Sequence, residues 1–356
     1  MTPTVSSAPR SLVLGRFIKS MILGEGDPMQ ALAFASGQNW RDTPQVELSL
    51  KAAVSAMTTS APGELTATPV GYLFSEMLRP LSLLGRMVGT RPVPFNVRTL
   101  SQSGGVTANW IGEGLPIPVS KADFDVGTTL TWAKVQSLSV HTKELARSSA
   151  PNVEEVLARD ALRAAAVAID SALVDADNAG TTAKPASISN GATTYTSGGS
   201  TAALIDADLT KALAVLNNAT IDLASAYWLL APRTAVYLSL LRGSGGALSY
   251  PTVTARGGTL AGIPVLTSVA CMDVSSPTEA NILLVAADEI DLADDGAGVI
   301  EISEQASLQL LDGPLTGAAQ MVSLWQHGLV ALRCTRTINW RMRHAAGCAV
   351  VQGCQF

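Results

Sequence analysis

The 356-residue sequence predicts an α+β fold, and three observations lead there. The first is a long polar stretch from Val106 that runs into a clean alternation. Phe124, Val126, Leu130 and Trp132 fall on one face, and Asp123, Asp125, Thr129 and Thr131 on the other. Period two marks a half-buried antiparallel strand. The second is a change of period after Lys143-Glu144-Leu145. Pro151 sits where a first helical turn tolerates it, and Val153, Leu157, Ala161, Ala164, Ala168 and Ala172 form one helical stripe. Glu155, Arg159 and Arg163 follow at i+4 spacing on another face. The third is composition. A 47% hydrophobic share supplies a sizeable core, yet only 15% of residues are charged, against about a quarter in ordinary domains. Much of the surface is therefore expected to be covered by other subunits.

Ahead of these elements, residues 1–57 read as three short helices. Val13, Leu14, Phe17, Ile18, Met21 and Ile22 make the first amphipathic stripe. The second helix has Asp27 as cap, Pro28 in its first turn, Gln30 three residues after the cap and Gly37 at its end. The third starts at Thr43-Pro44, carries Val46, Leu50, Val54 and Met57 on one side, and pairs Glu47 with Lys51. Stripes this short must bury against something else. A linker rich in Thr, Ser, Ala, Pro and Gly (Thr58–Pro69) follows, then a short apolar helix ending near Pro80.

Residues 91–123 form an extended segment with Gly104-Gly105 near its middle. The long helix is expected to end around Asn178–Gly180 and to give way to a flexible tract, Thr181–Ser200. Beyond it come a helix from about Asp206 to Leu216, a strand at Tyr227–Leu230, and a helix from Pro232 to Arg242 ended by Gly243. Gly243–Gly246 reads as a loop. Strands are expected at Asn281–Ile290 and Val299–Leu311, with Asp294-Asp295-Gly296 as the hairpin turn between them. No repeat with a solenoid period is present.

Sites of chemistry are sparse. There is no phosphate loop, no Gly-x-Ser-x-Gly elbow and no His-Glu-x-x-His helix. The three histidines, His141, His327 and His344, lack a motif that would build a serine triad. His344 with Cys334, Cys348 and Cys354 lacks the paired knuckles of a structural zinc site, so buried free thiols are expected. Asp288, Glu289, Asp291, Asp294 and Asp295 lack the spacing of a calcium loop and read as a solvated turn. Arg333, Arg336, Arg341 and Arg343 around Trp340 are the one basic concentration, read as salt-bridged strand faces at subunit contacts in preference to a contact with nucleic acid. With a formal net charge of −5, no basic face of a nucleic-acid-binding domain is evident. No run approaches the roughly 18 apolar residues of a membrane span, and Arg16 interrupts Leu12–Leu14, too short for a signal peptide. The cysteines lack CxxC spacing, in keeping with reduced thiols in a cytosol. No catalytic, cofactor or metal residues are expected, and the chain is not expected to be an enzyme.

Several stretches resemble the major capsid proteins of tailed phages, the Hong Kong 97-type fold, over roughly residues 60–350. They are the polar excursion with Trp110, Gly112, Glu113 and Gly114 leading into the long helix; Tyr227-Trp228-Leu229-Leu230-Ala231-Pro232; Leu260-Ala261-Gly262-Ile263-Pro264-Val265; and the paired strands after Asn281. The resemblance implies an N-terminal helical arm and linker (1–69). It implies a peripheral domain (70–200) with an extended β-loop at about 96–125 and a spine helix at about 151–179. An axial domain (201–312) and return strands (313–356) complete it.

The function implied is assembly of hexamers and pentamers into an icosahedral shell around double-stranded DNA. Portal, scaffolding and decoration proteins would be further partners, DNA contact would be non-specific, and no membrane is involved. The protein would be made and assembled in the host cytoplasm and end in the virion. The alternatives are an encapsulin-like nanocompartment and, from another class, a soluble serine hydrolase. Expected assembly contacts are Phe17, Ile18, Met21 and Ile22 on the arm, which would pack on the spine helix or an adjacent subunit, and Trp110, Ile111, Glu113 and Ile117 on the loop. The arm is expected to stay in the mature shell, being shorter and less charged than a removable coiled-coil scaffold. In the family's type member a loop lysine is joined to an asparagine of a neighbour with help from a glutamate. Alignment places Ile117, Gln320 and His327 at those positions, so covalent cross-linking is not expected here, with Lys121 the nearest amine.

Overall fold

The computed structural model describes residues 10–38, 40, 42–58, 69–98, 100–104, 110–111, 123–126, 129–144, 151–243, 245–273, 276, 278–309 and 321–356. Helices are α1 (Arg10–Leu23), α2 (Pro28–Gly37), α3 (Pro44–Thr58), α4 (Pro69–Leu78), α5 (Leu83–Arg86), α6 (Pro151–Val174), α7 (Ala202–Asn218) and α8 (Pro232–Leu240). Strands are β1 (Arg91–Pro92), β2 (Leu100–Gly104), β3 (Asp123–Val126), β4 (Lys134–Thr142), β5 (Thr193–Thr196), β6 (Ala226–Leu230), β7 (Val253–Thr254), β8 (Gly257–Leu260), β9 (Ile263–Thr267), β10 (Ala280–Ala286), β11 (Ile290–Ser303), β12 (Ser307–Leu308), β13 (Val322–Ser323), β14 (Leu329–Met342) and β15 (Cys348–Cys354). The chain forms two compact units. One comprises Met1–Met87, Lys134–Val174 and Asp295–Thr337, the other Val88–Ala133, Asp175–Asp294 and Ile338–Phe356.

In the first unit the apolar stripe of α1 lies along α6 and also meets α2, α3 and α4. Val13, Leu14, Phe17, Ile18, Met21 and Ile22 are all buried, because spacing of 3–4 residues puts them on one side of the helix. Asp27 caps α2 by accepting from the Met29 N–H, with Pro28 in the first turn. A Cβ on Gly24 would come within 2.5 Å of the Ala31 nitrogen, so the tight α1–α2 corner requires glycine there. Arg16 ties the α2–α3 connection. Its guanidinium donates to Asp42 and to Thr43 Oγ1, each at 2.7 Å, and lies 5.1 Å from the Trp40 ring centre. That hydrogen bond holds the Asp42 carboxyl below its ordinary range.

The buried seam of α6 is Ala161, Leu162, Ala165, Ala166, Ile169, Ala172 and Leu173. Ala164 and Ala168 of the expected stripe face outward with Arg163 and Val167. In an alanine-rich helix small residues fall on every side, and the large ones, Leu162, Ile169 and Leu173, set the true face. The helix stops at Val174, short of Asn178. On it the buried Asp170 accepts from the Leu83 N–H at 2.7 Å, satisfying an orphan donor at the start of α5. β4 pairs antiparallel with β14 in unbroken register from Thr142↔Leu329 to Lys134↔Thr337, and β14 in turn neighbours β11.

The second unit is built on a seven-stranded sheet of order β5-β15-β10-β6-β9-β8-β7. β10 is central and almost wholly buried, antiparallel to both β6 and β15. The apolar run Ile282–Ala286 suits a strand covered on both faces. Trp228 is completely buried and donates its indole N–H to the Leu260 carbonyl. The Leu-Ala-Gly-Ile-Pro-Val segment is the β8–β9 hairpin. Ala261 (φ 51°) and Gly262 (φ 80°) occupy its two-residue turn, both left-handed as that turn demands. Thr220 ends α7 in the left-handed region at φ 54°, with the Ile221 N–H returning to the Leu216 carbonyl. A β-branched residue there is strained, so Thr220→Gly is expected to raise unfolding stability by about 1 kcal/mol. Urea titration followed by circular dichroism checks this; an unchanged or lower midpoint refutes it.

Three expectations are corrected. Thr181–Ser200 is ordered: β5 pairs parallel with β15, and Ile188, Ser187 and Ser189 are buried. Asn178, Thr181 and the serines bond nearby backbone groups, which compensates for the missing apolar side chains. Asp294-Asp295-Gly296 is no turn; β11 runs straight through it, with Gly296 at φ 69° inside the strand. A left-handed glycine in a strand can mark a local bend instead of a reversal. The Phe124–Trp132 alternation splits: β3 ends at Val126, Leu130 is buried and Trp132 is 60% exposed. The Leu130 carbonyl bonds the Asn96 N–H, so this stretch follows residues 93–97 and not β2.

Candidate assembly surfaces

β2 and β3 form a separate two-stranded antiparallel ribbon, Leu100↔Val126, Ser101↔Asp125 and Gln102↔Phe124, with a register shift before Gly104↔Asp123. Its strands satisfy each other's backbone groups, which lets a polar segment leave the body without a core of its own. Between them Trp110 is completely exposed and Ile111 half-buried. Glu113 and Ile117, with Gly112, Gly114 and Lys121, lie outside the described residues, as does Gln320. Phe95 and Trp132 pack in a tilted ring contact with 6.0 Å between ring centres, and Val97 is exposed close by in sequence.

Phe17, Ile18, Met21 and Ile22, expected as assembly contacts, are buried within their own chain, on a helix that lies along α6 and also meets α2, α3 and α4.

Two ion pairs, Asp291 with Arg341 and Glu289 with Arg343, link the acidic and basic sets, a pairing across sequence that neither run displays alone. In the second unit Glu289 lies 2.6 Å from His344 Nδ1 and 3.7 Å from Arg343, and Asp291 receives Nε and Nη2 of Arg341 at 2.9 and 2.8 Å. Asp288 accepts from Ser225 Oγ at 2.6 Å. In the first unit Arg333 Nε donates to Glu301 at 2.6 Å and Lys143 meets the buried Glu304 at 2.5 Å. The expected solvated turn is thus corrected: Glu289 and Asp291 are paired and largely buried, since a buried carboxylate needs a cation beside it. Arg333, Arg341 and Arg343 are salt-bridged as expected, with carboxylates of their own chain and not across a subunit contact. Among the described residues no cluster of His, Cys, Asp and Glu is placed to hold a metal ion.

All four cysteines are buried free thiols. Burial pushes Cys334 and Cys354 up to about 11 and Cys348 up to about 12, which keeps them protonated and poor as ligands or nucleophiles. His141, depressed by burial and partly restored by Asp160 of α6, contacts Ser139 at 3.0 Å. His327 Nδ1 lies 3.0 Å from the Ser323 carbonyl oxygen. No helix among the described residues is long and apolar enough to cross a membrane.

Comparison with known proteins gives this arrangement its context. Residues 74–353 match the profile of the phage capsid family. A capsid polyprotein of Pseudomonas phage PAJU2 is 36% identical over 96% of this chain, and the chain spans only 54% of that relative's length. A major capsid protein of Klebsiella oxytoca phage phiKO2 is 26% identical over 85% of this chain and 71% of its own. Among solved structures, a chain of Mycobacterium phage Ogopogo superposes with a TM-score of 0.58 at 16% identity, covering 76% of this chain and 91% of that one. A chain of Gordonia phage Cozz gives 0.54 at 16% identity over 78% and 85%. The α+β architecture is the Hong Kong 97-type capsid fold. With a profile spanning most of its length and a relative above a third identical, the chain belongs to the phage capsid family.

Proposed function

We propose that this chain is the major capsid protein of a tailed phage or prophage, building hexamers and pentamers that close an icosahedral shell around double-stranded DNA. The observation that carries the reading is family membership across residues 74–353. The bare Trp110 between the strands of an independent ribbon supports it, because an exposed indole is a large apolar surface waiting for a partner. The ribbon, residues 96–125, would lie on a neighbouring subunit with Trp110, Ile111, Glu113 and Ile117 in the contact. The second unit's seven-stranded sheet would serve as the axial domain and α6 as the spine of the peripheral one. Scaffolding, portal and decoration proteins are further partners, and the virion is the destination after assembly in the host cytoplasm. The role is structural and not enzymatic. Relatives named as phage capsid proteins favour a genome over the enzyme cargo of a nanocompartment.

DNA contact on this reading is non-specific and weak. The arginines that could have formed a basic wall are engaged: Arg333, Arg341 and Arg343 face carboxylates. A wall of free guanidiniums would hold DNA through counterion release and slow its packing.

Recombinant full-length chain, with a scaffolding partner where needed, is expected to form closed shells in electron micrographs. Deleting residues 101–118 is expected to leave the circular dichroism spectrum intact and to abolish closure. The same particles boiled in detergent are expected to run as a 36.8 kDa monomer. A monomer under every condition overturns the capsid reading, closure by the deletion variant overturns the role of the ribbon, and a ladder of multimers shows covalent cross-links.

A further inference from the structure

Asn190-Gly191 is the chain's single Asn-Gly pair. It lies in the stretch that carries the chain from the end of α6 to β5, and both residues are exposed. The amides around it are engaged. Ser189 donates to Ser187 Oγ, Asn190 to the Ser187 carbonyl and Ala192 to the Ser189 carbonyl. Among the described residues, the Gly191 N–H alone of 189–192 has no partner. Gly191 holds a left-handed φ of 77°, and a Cβ built there would meet nothing within 4 Å. The nitrogen that follows the Asn190 side chain is therefore unbonded and open to water.

That side chain has one tie. Asn190 Nδ2 donates to the Ala176 carbonyl at 3.2 Å, joining the turn to the segment that leaves α6. Asp175 and Asp177 flank Ala176 in sequence, and Asp177 is exposed.

We infer that Asn190 is a site of spontaneous modification, where the side-chain amide becomes a carboxyl group and its tie to Ala176 is lost. The Gly191 nitrogen gives up its proton to hydroxide and attacks Asn190 Cγ, closing a five-membered imide. The Cγ–Nδ2 bond breaks, and that nitrogen leaves as ammonia with a proton from water. Water then adds to the imide. Opening at Cγ gives aspartate, and opening at the Asn190 main-chain carbonyl gives isoaspartate, whose backbone runs through the side chain. The balance is one water in and one ammonia out. Glycine favours closure because no Cβ crowds the attacking nitrogen, and a nucleophile held in the next residue has the advantage of an intramolecular reaction. Either product lacks the N–H that held Ala176 and adds a carboxylate beside Asp175 and Asp177. The tie becomes a repulsion, and β5, which begins at Thr193 opposite Ala349, is the nearest strand to loosen.

Full-length chain is incubated in heavy-oxygen water, folded and in urea, and mapped by peptide mass spectrometry. The heavy oxygen marks carboxyl groups formed during the incubation, and an isoaspartate-specific methyltransferase labels the rearranged product. Label is expected at Asn190, faster in alkaline than in neutral buffer, with the folded rate within about tenfold of the unfolded one. Asn178, buried and bonded through both Nδ2 and Oδ1, is expected to stay unlabelled in the folded chain. Asn190→Gln lengthens the ring that must close and is expected to abolish the label. A folded rate slower than that bound, or label arising first at another asparagine, overturns the inference. Asn190→Asp reproduces one product and is expected to speed hydrogen exchange at Thr193–Thr196 while Ile282–Ala286 stays protected. Unchanged exchange there overturns the link to β5.

Discussion

Asp291→Ala is expected to lower unfolding stability by about 3–5 kcal/mol, the cost of leaving one charge of a buried pair uncompensated. Asp291 is 2% exposed and Arg341 is largely buried opposite it. Both guanidinium bonds fall on Oδ2, and Oδ1 has no hydrogen-bond partner among the described residues. The carboxylate thus relies on Arg341 for its compensation, and the converse variant Arg341→Met is expected to cost a similar amount. Removing both partners together, Asp291→Ala with Arg341→Met, is expected to recover most of the loss, because two buried charges and their desolvation then disappear at once. Denaturant titration of the four proteins of this double-mutant cycle measures the coupling. Additive losses would show that the pair is not the unit argued here. A deficit of this size also matters for shell yield, since it is a large share of a domain's stability.

That pair illustrates which parts of the molecule were legible in its sequence. Local signals were reliable where one residue type has one mechanical use. Asp27-Pro28 does cap and open α2, Pro232 does open α8, and the apolar run at Tyr227–Leu230 is a buried strand. The stripe on α1 was readable because its large residues, Phe17, Ile18, Met21 and Ile22, all lie on one side. The stripe on α6 was misread because alanine marks no face. The reversal expected at Asp294-Asp295-Gly296 failed for a related reason: the same residues that favour a turn also permit a bend within a long strand. Pairing of Asp291 with Arg341, fifty residues away, has no local signature at all. The acidic run reads as a solvated turn and the basic set as salt-bridged faces, neither naming the other, and only the strand neighbours β11 and β14 bring the two together. Trp110 stood out in sequence as an aromatic in a polar stretch, and it is exposed. What it touches is a property of a second chain and cannot be written in the first.

The arm gives the second large effect. Removing residues 1–57 is expected to lower the melting temperature of the first unit sharply and to prevent shell closure. Six large side chains of α1 are buried in this unit, where α1 lies along α6, and their loss opens that helix–helix seam to water. Each buried aliphatic or aromatic side chain contributes roughly 1.5–3 kcal/mol by transfer alone. The sum exceeds what a marginally stable unit can lose. A milder variant keeps the test readable if the truncated chain fails to fold: Ile18→Ala, at a fully buried position, is expected to cost about 2–5 kcal/mol through lost contact and the cavity left behind. Ser36→Lys, on the exposed side of α2, is expected to change stability by less than about 0.5 kcal/mol and serves as the control. Scanning calorimetry of the soluble chain distinguishes these outcomes. If the truncated chain melts like the full one, α1 is not part of the folded unit and the seam on α6 has some other cover. N-terminal sequencing of mature particles adds an independent reading. Retention of α1 is expected, because a segment packed along the spine cannot be cut away without exposing it; a start near Thr58–Pro69 would instead mark the arm as a removable scaffold.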